Sequence, residues 1–481
     1  MSTTIFFDTI PASIRKPLTY AEFNLKLANQ GLSANLQPIV ILAPKLAAGT
    51  LAAATPTQIY SNSDADTYAG VGSIAAEMAR HLLATNPYAT LWLVLVDDPA
   101  GANATASVVY SGTITGAGTE AVWVDDEKVE IATAATDTAT TIAAAMAAAI
   151  NARPWLTVTA AAATGTLTLT SRHKGLLNNQ LLINASGSTV GAARAVTQFA
   201  SGTLAHDVAA ALTSIFTAGH KIIASAFNDA TTLTAIRNHV NTVSNSVEIR
   251  GCRAWFGSNG SVANSTTLAS GQNGWLLHEA LARYTQSKGA RSAPWNIAAA
   301  MAAVDAFEED PARPLNTLPL PTLAVPDRVD VLSRSEQEAM LYAGVTPIEP
   351  GPGNLMQVVR AITTYTTSAA GAPDAALLDI TTPKTMFYFR ELVVNDQKIR
   401  FGREKFSKRV ANAIKQRAYE IAKQLEDLEI LQNVDDYKDQ FVWEPDSQNP
   451  NRLKLKVPSP IVPGLHLIAS RFDLYISPAK N

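Results

Sequence analysis

Apolar residues along this chain come in short unbroken runs far more often than in alternation. The segment PIVILAP (38–44) is continuous and bounded by prolines, the pattern of a strand buried on both faces. A helical stretch over 64–84 follows, and then LWLVLV (91–96) between Asn86-Pro87 and Asp97-Asp98-Pro99. Strand, helix, strand predicts a βαβ unit. From about 101 to 202 the texture changes to small polar residues, with threonine alternating in VVYSGTITG and GTLTLTS around one alanine-rich helix at 138–151. This predicts a strand-dominated module, inserted as an independently folding unit with its ends close together. After it the buried rhythm returns: helix 205–218, strand 221–227, helix 229–244, strand 252–257 and helix 272–287. The class is therefore α/β, with a discontinuous α/β domain (36–100 and 203–365) flanking a β-rich insertion (101–202).

The two ends read differently. Residues 1–35 hold Pro11 and Pro17 and scattered apolars, including Ile5, Phe6, Phe7 and Ile10, without a sustained period, as in an extended arm. Prolines crowd residues 311–326 and predict a surface traverse. Beyond it the pattern predicts a helix at 333–342, strands at 356–365 and 386–394, and a long helix over about 403–431. The tail alternates with period two in RLKLKV (452–457) and RFDLYIS (471–477), the latter carrying Phe472, Leu474 and Ile476 on one side. Residues 366–481 thus form an α+β C-terminal domain that ends in a second arm.

The helix over 403–431 has an unusual charge distribution. Residues 398–423 hold nine cations against Glu404 and Glu420, whereas 426–439 hold six acids and one lysine. This order opposes the helix macrodipole, so the stability of the helix alone does not account for it. On a helical wheel Phe406, Val410, Ile414, Ile421, Leu425 and Leu428 form an apolar stripe, and Lys405, Lys408, Arg409, Lys415 and Lys423 gather opposite. The face is either a solvated surface or a dock for an acidic partner.

Composition narrows the function classes. Across 481 residues, 38 Lys+Arg stand against 41 Asp+Glu, which gives no bulk attraction to nucleic acid or an anionic membrane. Only 16% of residues are charged, and surfaces so poor in charge tend to associate. The single cysteine, Cys252, excludes an intramolecular disulfide and sits in a run that predicts burial. No run is long and apolar enough for a membrane span and no secretory signal is apparent, which places assembly in a reducing cytoplasm.

Candidate chemistry fails on inspection. Gly70, Gly72 and Ala75 match G-x-G-x-x-[GA], but no strand precedes them, and a nucleotide fingerprint needs one; they read as a helix entry. His278-Glu279 begins a zinc-protease helix whose second histidine position is Ala282. The acid pairs Asp97-Asp98, Asp125-Asp126, Glu308-Glu309 and Asp435-Asp436 read as turns or solvated ends rather than acid/base couples. No catalytic, cofactor or metal residue is predicted, and an enzyme is not expected.

The N-terminal string IPASIRKPLTYAEF (10–23) resembles the opening of Mu-type contractile tail sheath proteins of myophages. The likeness continues through PIVILAPKLAAGT, GVGSIAAEMARHLLATNPYATLWLVLV, GTLTLTSRHKGLLNNQLLI and KIIASAFND, and through the C-terminal third. What the resemblance implies is a structural subunit of a helical homo-oligomer around a tail tube. Such a sheath contracts to drive the tube through a bacterial envelope for genome delivery. It also implies strand exchange through the two arms (Ile5, Phe6, Phe7, Ile10, Phe472, Leu474, Ile476), with the C-terminal domain facing the tube through Lys405, Lys408, Arg409, Lys415 and Lys423. Partners would be the tube, baseplate and tail terminator proteins, with no cofactor, no direct nucleic-acid contact and no membrane insertion. The protein would assemble in the host cytoplasm and end in the virion tail. A phage virion and a phage-derived tail-like bacteriocin fit equally, and a non-contractile self-assembling surface or adhesin-like protein is the alternative from another class.

Overall fold

The computed structural model describes Lys16 and residues 35–475. Its first strand, β1 (Ile39–Pro44), is buried at every position. It lies in a nine-stranded sheet with β2 (Thr57–Ile59) and β3 (Leu91–Val96) on one side. β1 and β3 run parallel, in register from Ile39 opposite Leu91, and β2 pairs antiparallel at the edge. Between β2 and β3 the predicted single helix is two, α1 (Asn62–Ala69) and α2 (Ile74–Thr85). Gly70 and Gly72 break it at positive φ, and Ser73 starts the second helix by accepting a hydrogen bond from Ala76 N at 3.2 Å. Gly72 must also be small, because a Cβ there would lie 2.6 Å from the Pro154 carbonyl oxygen. The G-x-G-x-x-[GA] match is thus a helix break, and helix α1 precedes it.

The residues between β3 and the return of the main sheet carry β4 (Asn103–Ser111), β5 (Gly118–Val124), β6 (Glu127–Thr133), α3 (Ala139–Asn151), β7 (Val158–Ala163), β8 (Thr166–Lys174), β9 (Ile183–Gly187) and β10 (Ala193–Ala200). They build two antiparallel sheets, β10-β4-β8-β7 and β6-β5-β9, with α3 packed on β6 and β7. Where the segment leaves and returns, Ala102 N donates to Thr203 Oγ1 at 2.9 Å, so its ends meet. Polar contacts pin it to the main sheet layer: Asn228 Nδ2 donates to Gln180 Oε1 at 2.7 Å, and Arg291 N to the Asp125 carbonyl at 2.9 Å.

The main sheet then resumes with a short α4 (Ala209–Ser214), β11 (Ile222–Ser225), α5 (Ala230–Ser244), β12 (Arg253–Ser258), α6 (Val262–Gln272) and β13 (Leu277–Leu281). The helix expected at 272–287 is a correction: α6 ends at Asn273 in the left-handed conformation, and LHEAL is a fully buried parallel strand between β12 and its next neighbour. Leu276, Leu277, Ala280 and Leu281 repeat at helical spacing, and a strand buried on both faces has no polar face to contradict that reading. Helix α7 (Pro294–Phe307) escaped the sequence reading for the matching reason, being buried nearly all round and alanine-rich. It packs on β12 so closely that a Cβ on Gly257 would lie 2.0 Å from the Pro294 carbonyl oxygen.

The traverse over 311–326 holds only β14 (Pro319–Leu320). It is followed by α8 (Arg334–Tyr342), the helix expected at 333–342, which Ser333 caps, by β15 (Val345–Pro350), and by β16 (Met356–Val358), shorter than the strand expected over 356–365. Sheet order is β14-β16-β15-β13-β12-β11-β1-β3-β2, parallel from β3 to β15 and closed at both edges by antiparallel strands. The strand expected at 386–394 is a second correction, since it lies inside α9 (Thr381–Phe401). Phe389, Leu392 and Val393 are buried at helical spacing, and this packing outweighs the strand propensity of Phe, Tyr and Val. Helix α10 (Lys408–Asp427), capped by Ser407, packs on α9, and β17 (Val442–Pro445) and β18 (Leu453–Lys456) form a two-stranded antiparallel hairpin.

Glu279 on β13 is fully buried, and burial pushes its carboxyl up to about 8 while Ser258 Oγ donates to it at 2.6 Å. A value raised above the unfolded ~4.3 means that its contribution is complete below that pH and is lost as pH rises through about 8. Urea unfolding of the wild type should therefore weaken between about pH 5 and 8, and Glu279→Gln should flatten that decline. Equal slopes for the two proteins would show that the carboxyl ionises in the native state as it does in water.

Candidate functional site

Cations placed at the start of a helix have no local reason to stay there, and α10 leaves them to solvent. Lys405 precedes the helix, Lys408 and Arg409 occupy its first turn, and all three are exposed without an ion pair to a described residue. Lys415 is half-buried. Lys423 departs from the expected face: its Nζ bonds to Glu426 and reaches Asp435 Oδ2 at 3.3 Å, and these hydrogen bonds hold its ammonium above the usual lysine range. The apolar stripe is also shorter than the wheel suggests. Val410, Ile421 and Leu425 are buried together with Ala411, Ala418 and Ala422, whereas Phe406 and Leu428 lie outside the helix and are exposed.

The C-terminal segment leaves the body at a fixed point. His466 Nε2 lies 2.8 Å from Asp379 Oδ2, Asn316 Nδ2 lies 2.9 Å from His466 Nδ1, and Arg360 Nη2 donates to the same Asp379 oxygen at 2.8 Å. Burial would raise the Asp379 carboxyl, but His466 and Arg360 together hold it below its ordinary value. Beyond this anchor Leu467, Ile468, Phe472, Leu474 and Tyr475 are all at least 80% exposed. The strand expected over 471–477 has, through residue 475, no strand partner among the described residues. Ile476, and the N-terminal Ile5, Phe6, Phe7 and Ile10, lie outside the described residues.

Two of the acid pairs are not solvated turns. Asp98 meets two buried histidines, with His173 Nδ1 at 2.8 Å and His206 Nε2 at 3.5 Å. His173 Nε2 accepts from Ile74 N at 3.1 Å, so the neutral ring donates to Asp98 and clasps β8 to the start of α2. Burial would raise the Asp98 carboxyl, but the two histidines hold it well below the carboxylate range. Asp125 is only 3% exposed. These partners stand 75 and more residues from Asp98, a separation no local motif could reveal. Cys252 is buried and its thiol is pushed up to about 12 by burial, consistent with core packing. Among the described residues no helix is long and apolar enough to cross a membrane.

The model of the phage tail sheath protein central domain matches residues 202–364. Over 411 residues the chain is 31% identical to the Mu-like prophage FluMu tail sheath protein of Haemophilus influenzae, covering 84% of this chain and 83% of that protein. The fold is shared with the sheath tail protein of Desulfitobacterium hafniense (TM-score 0.51, 14% identity, 89% and 93% of the two chains). It is shared too with the helical sheath of the anti-feeding prophage in its contracted state (TM-score 0.50, 12% identity, 96% and 99%). The chain belongs to the phage tail sheath family, in its Mu-like branch, and is a structural subunit of a contractile tail. The surface-protein alternative falls with that assignment.

Proposed function

We propose that this subunit polymerises around a tail tube by lending its terminal arms to neighbouring subunits, and grips the tube through the cations at the start of α10. Contraction of the polymer then drives the tube through a bacterial envelope to deliver a genome. Assembly takes place in the host cytoplasm, with the baseplate at one end of the polymer and the tail terminator at the other. The role is mechanical rather than catalytic: neither the glycine motif nor His278-Glu279 has the strand or second ligand its chemistry needs. The observation that carries the reading is the row of apolar side chains beyond His466, with Phe472 93% and Leu474 87% exposed. An isolated chain gains nothing by leaving them in water, whereas strand addition to a neighbour's open sheet edge covers them and satisfies their backbone. The hairpin β17–β18 offers such edges.

A grip that must hold and later release suits exposed ion pairs of about 0.2–1 kcal/mol each, repeated over many subunits, better than one large apolar patch. Lys405→Glu with Lys408→Glu and Arg409→Glu should leave sheath polymerisation intact and abolish co-sedimentation with preformed tubes, and raised salt should weaken wild-type binding in the same direction. Lys423→Ala serves as the control, because that charge is already engaged by Glu426 and Asp435. Tube binding unchanged in the triple variant would return this face to solvent.

A further inference from the structure

We propose that Glu77, His81 and Asp126 form a binding site for a divalent transition-metal ion that clips the inserted β5–β6 hairpin to helix α2. Glu77 and His81 lie one turn apart on α2 and so share a face, and Asp126 comes from the tight turn between β5 and β6. One donor atom from each residue lies within 4.8 Å of the other two. His81 Nε2 and Asp126 Oδ2 are 3.4 Å apart. That is long for a charge-assisted hydrogen bond, usually about 2.7–2.9 Å, and matches two donors each about 2.1 Å from a tetrahedral cation. The second ring nitrogen, Nδ1, is buried with no hydrogen-bond partner among the described residues, and the ring's one ion-pair partner among them is Asp126.

The surroundings fit a cation. Helix α7 orients the Glu77 carboxylate, with Trp295 Nε1 donating to Oε2 at 3.1 Å and Asn296 Nδ2 to Oε1 at 2.6 Å, as outer-shell donors do around metal ligands. The three residues open on a cavity of about 70 Å³ shared with Asp125, Trp155 and Thr157, which leaves room for water ligands. Asp125 supplies an independent sign. It is 3% exposed and lines this cavity, yet only its Oδ1 is engaged, by Leu182 N at 3.0 Å, and Oδ2 receives no hydrogen bond from a described residue. Three carboxylates thus converge, and the nearby cations are spent elsewhere. Arg80 pairs with Asp66 at 2.8 Å, and Arg291 donates to the carbonyls of Ser287 and Ile183. A donor set of one imidazole and carboxylates without thiolate suits Zn²⁺ or Mn²⁺.

The test uses the full-length chain without a polyhistidine tag, stripped with a chelator, loaded with Zn²⁺ and desalted before its metal is counted. About one Zn²⁺ per chain is expected, with a raised thermal midpoint, and affinity at least about tenfold weaker in His81→Ala and Asp126→Asn. Circular dichroism establishes that both variants fold. Should either fail, Co²⁺ loaded into the wild type reads the site directly: intense visible bands, displaced by Zn²⁺, mark low-coordinate nitrogen and oxygen ligation. Uptake far below one ion per chain, uptake undiminished in folded Asp126→Asn, or Co²⁺ bands of a fully hydrated ion would each overturn the clip.

Discussion

Asp305→Ala is expected to lower the unfolding free energy by about 3–5 kcal/mol. Asp305 sits on α7 with no exposed surface and is the meeting point of three elements. Arg253 Nε of β12 donates to its Oδ2 at 2.5 Å, Trp255 Nε1 to the same oxygen at 2.9 Å, and Lys384 Nζ of α9 to Oδ1 at 3.0 Å. Burial would raise this carboxyl, but the charges of Arg253 and Lys384 hold it well below the ordinary range. Truncation leaves two like charges buried side by side with a cavity between them, which is far worse than never having built the pair. Lys384→Met should cost less, because Arg253 and Asp305 remain matched. Urea unfolding followed by tryptophan fluorescence reads both, and a loss below about 1 kcal/mol for Asp305→Ala would mean that water reaches the cluster. The depressed carboxyl also fixes the pH sign. Its contribution is present above about pH 4 and disappears as the solution is acidified through the native value. Lys384 is one of several ties between α9 and the sheet layer, beside the Lys221–Glu391 ion pair and the hydrogen bond from Arg390 to the Ser244 carbonyl at 2.9 Å, so its loss alone should leave the helix docked.

The elements legible in the sequence were those with punctuation. Strand β1 stands between prolines, β3 between Asn86-Pro87 and Asp97-Asp98-Pro99, and α8 carries a Ser333/Glu336 capping box. Where an element is buried on all sides, the apolar pattern loses its period and the reading fails, as it did for LHEAL on β13 and for α7. MFYFRELVV failed differently. Its spacing suits a helix while its Phe, Tyr and Val favour a strand, and the packing that decides between them, of Phe389, Leu392 and Val393, is tertiary. The candidate surfaces divide along the same line. Exposure of Lys408 and Arg409 followed from a wheel, because it depends on the helix alone. The neutralised Lys423 did not, because Asp435 reaches it from the turn after the helix. Asp98 and Asp126 take their meaning from residues far away in the chain, which no local pattern encodes.

Removing residues 467–481 should leave a folded chain that does not polymerise. The cut falls just beyond His466, so its contacts with Asp379 and Asn316 survive, as does the bridge between Leu431 and Ile461. The described part of the excised segment contributes exposed side chains and no strand pairing, so the thermal midpoint of the monomer should move little. Its removal nonetheless deletes an alternating apolar segment, Phe472 and Leu474 on one side, for which the described residues provide no strand partner through residue 475. A backbone that makes no intramolecular ladder can lower the free energy of the polymer by its full set of new hydrogen bonds and buried apolar area, so its loss should abolish assembly rather than weaken it. Phe472→Asp with Leu474→Asp is the sharper version, since chain length is kept and only the buried face of the added strand is spoiled. Light scattering and negative-stain microscopy measure both, alongside deletion of residues 1–20, which should behave alike if the two arms are exchanged together. Tubes of normal width from the 467–481 deletion would remove the C-terminal arm from the assembly. Tubes from the double aspartate variant alone would keep its backbone pairing and discard the side-chain contribution.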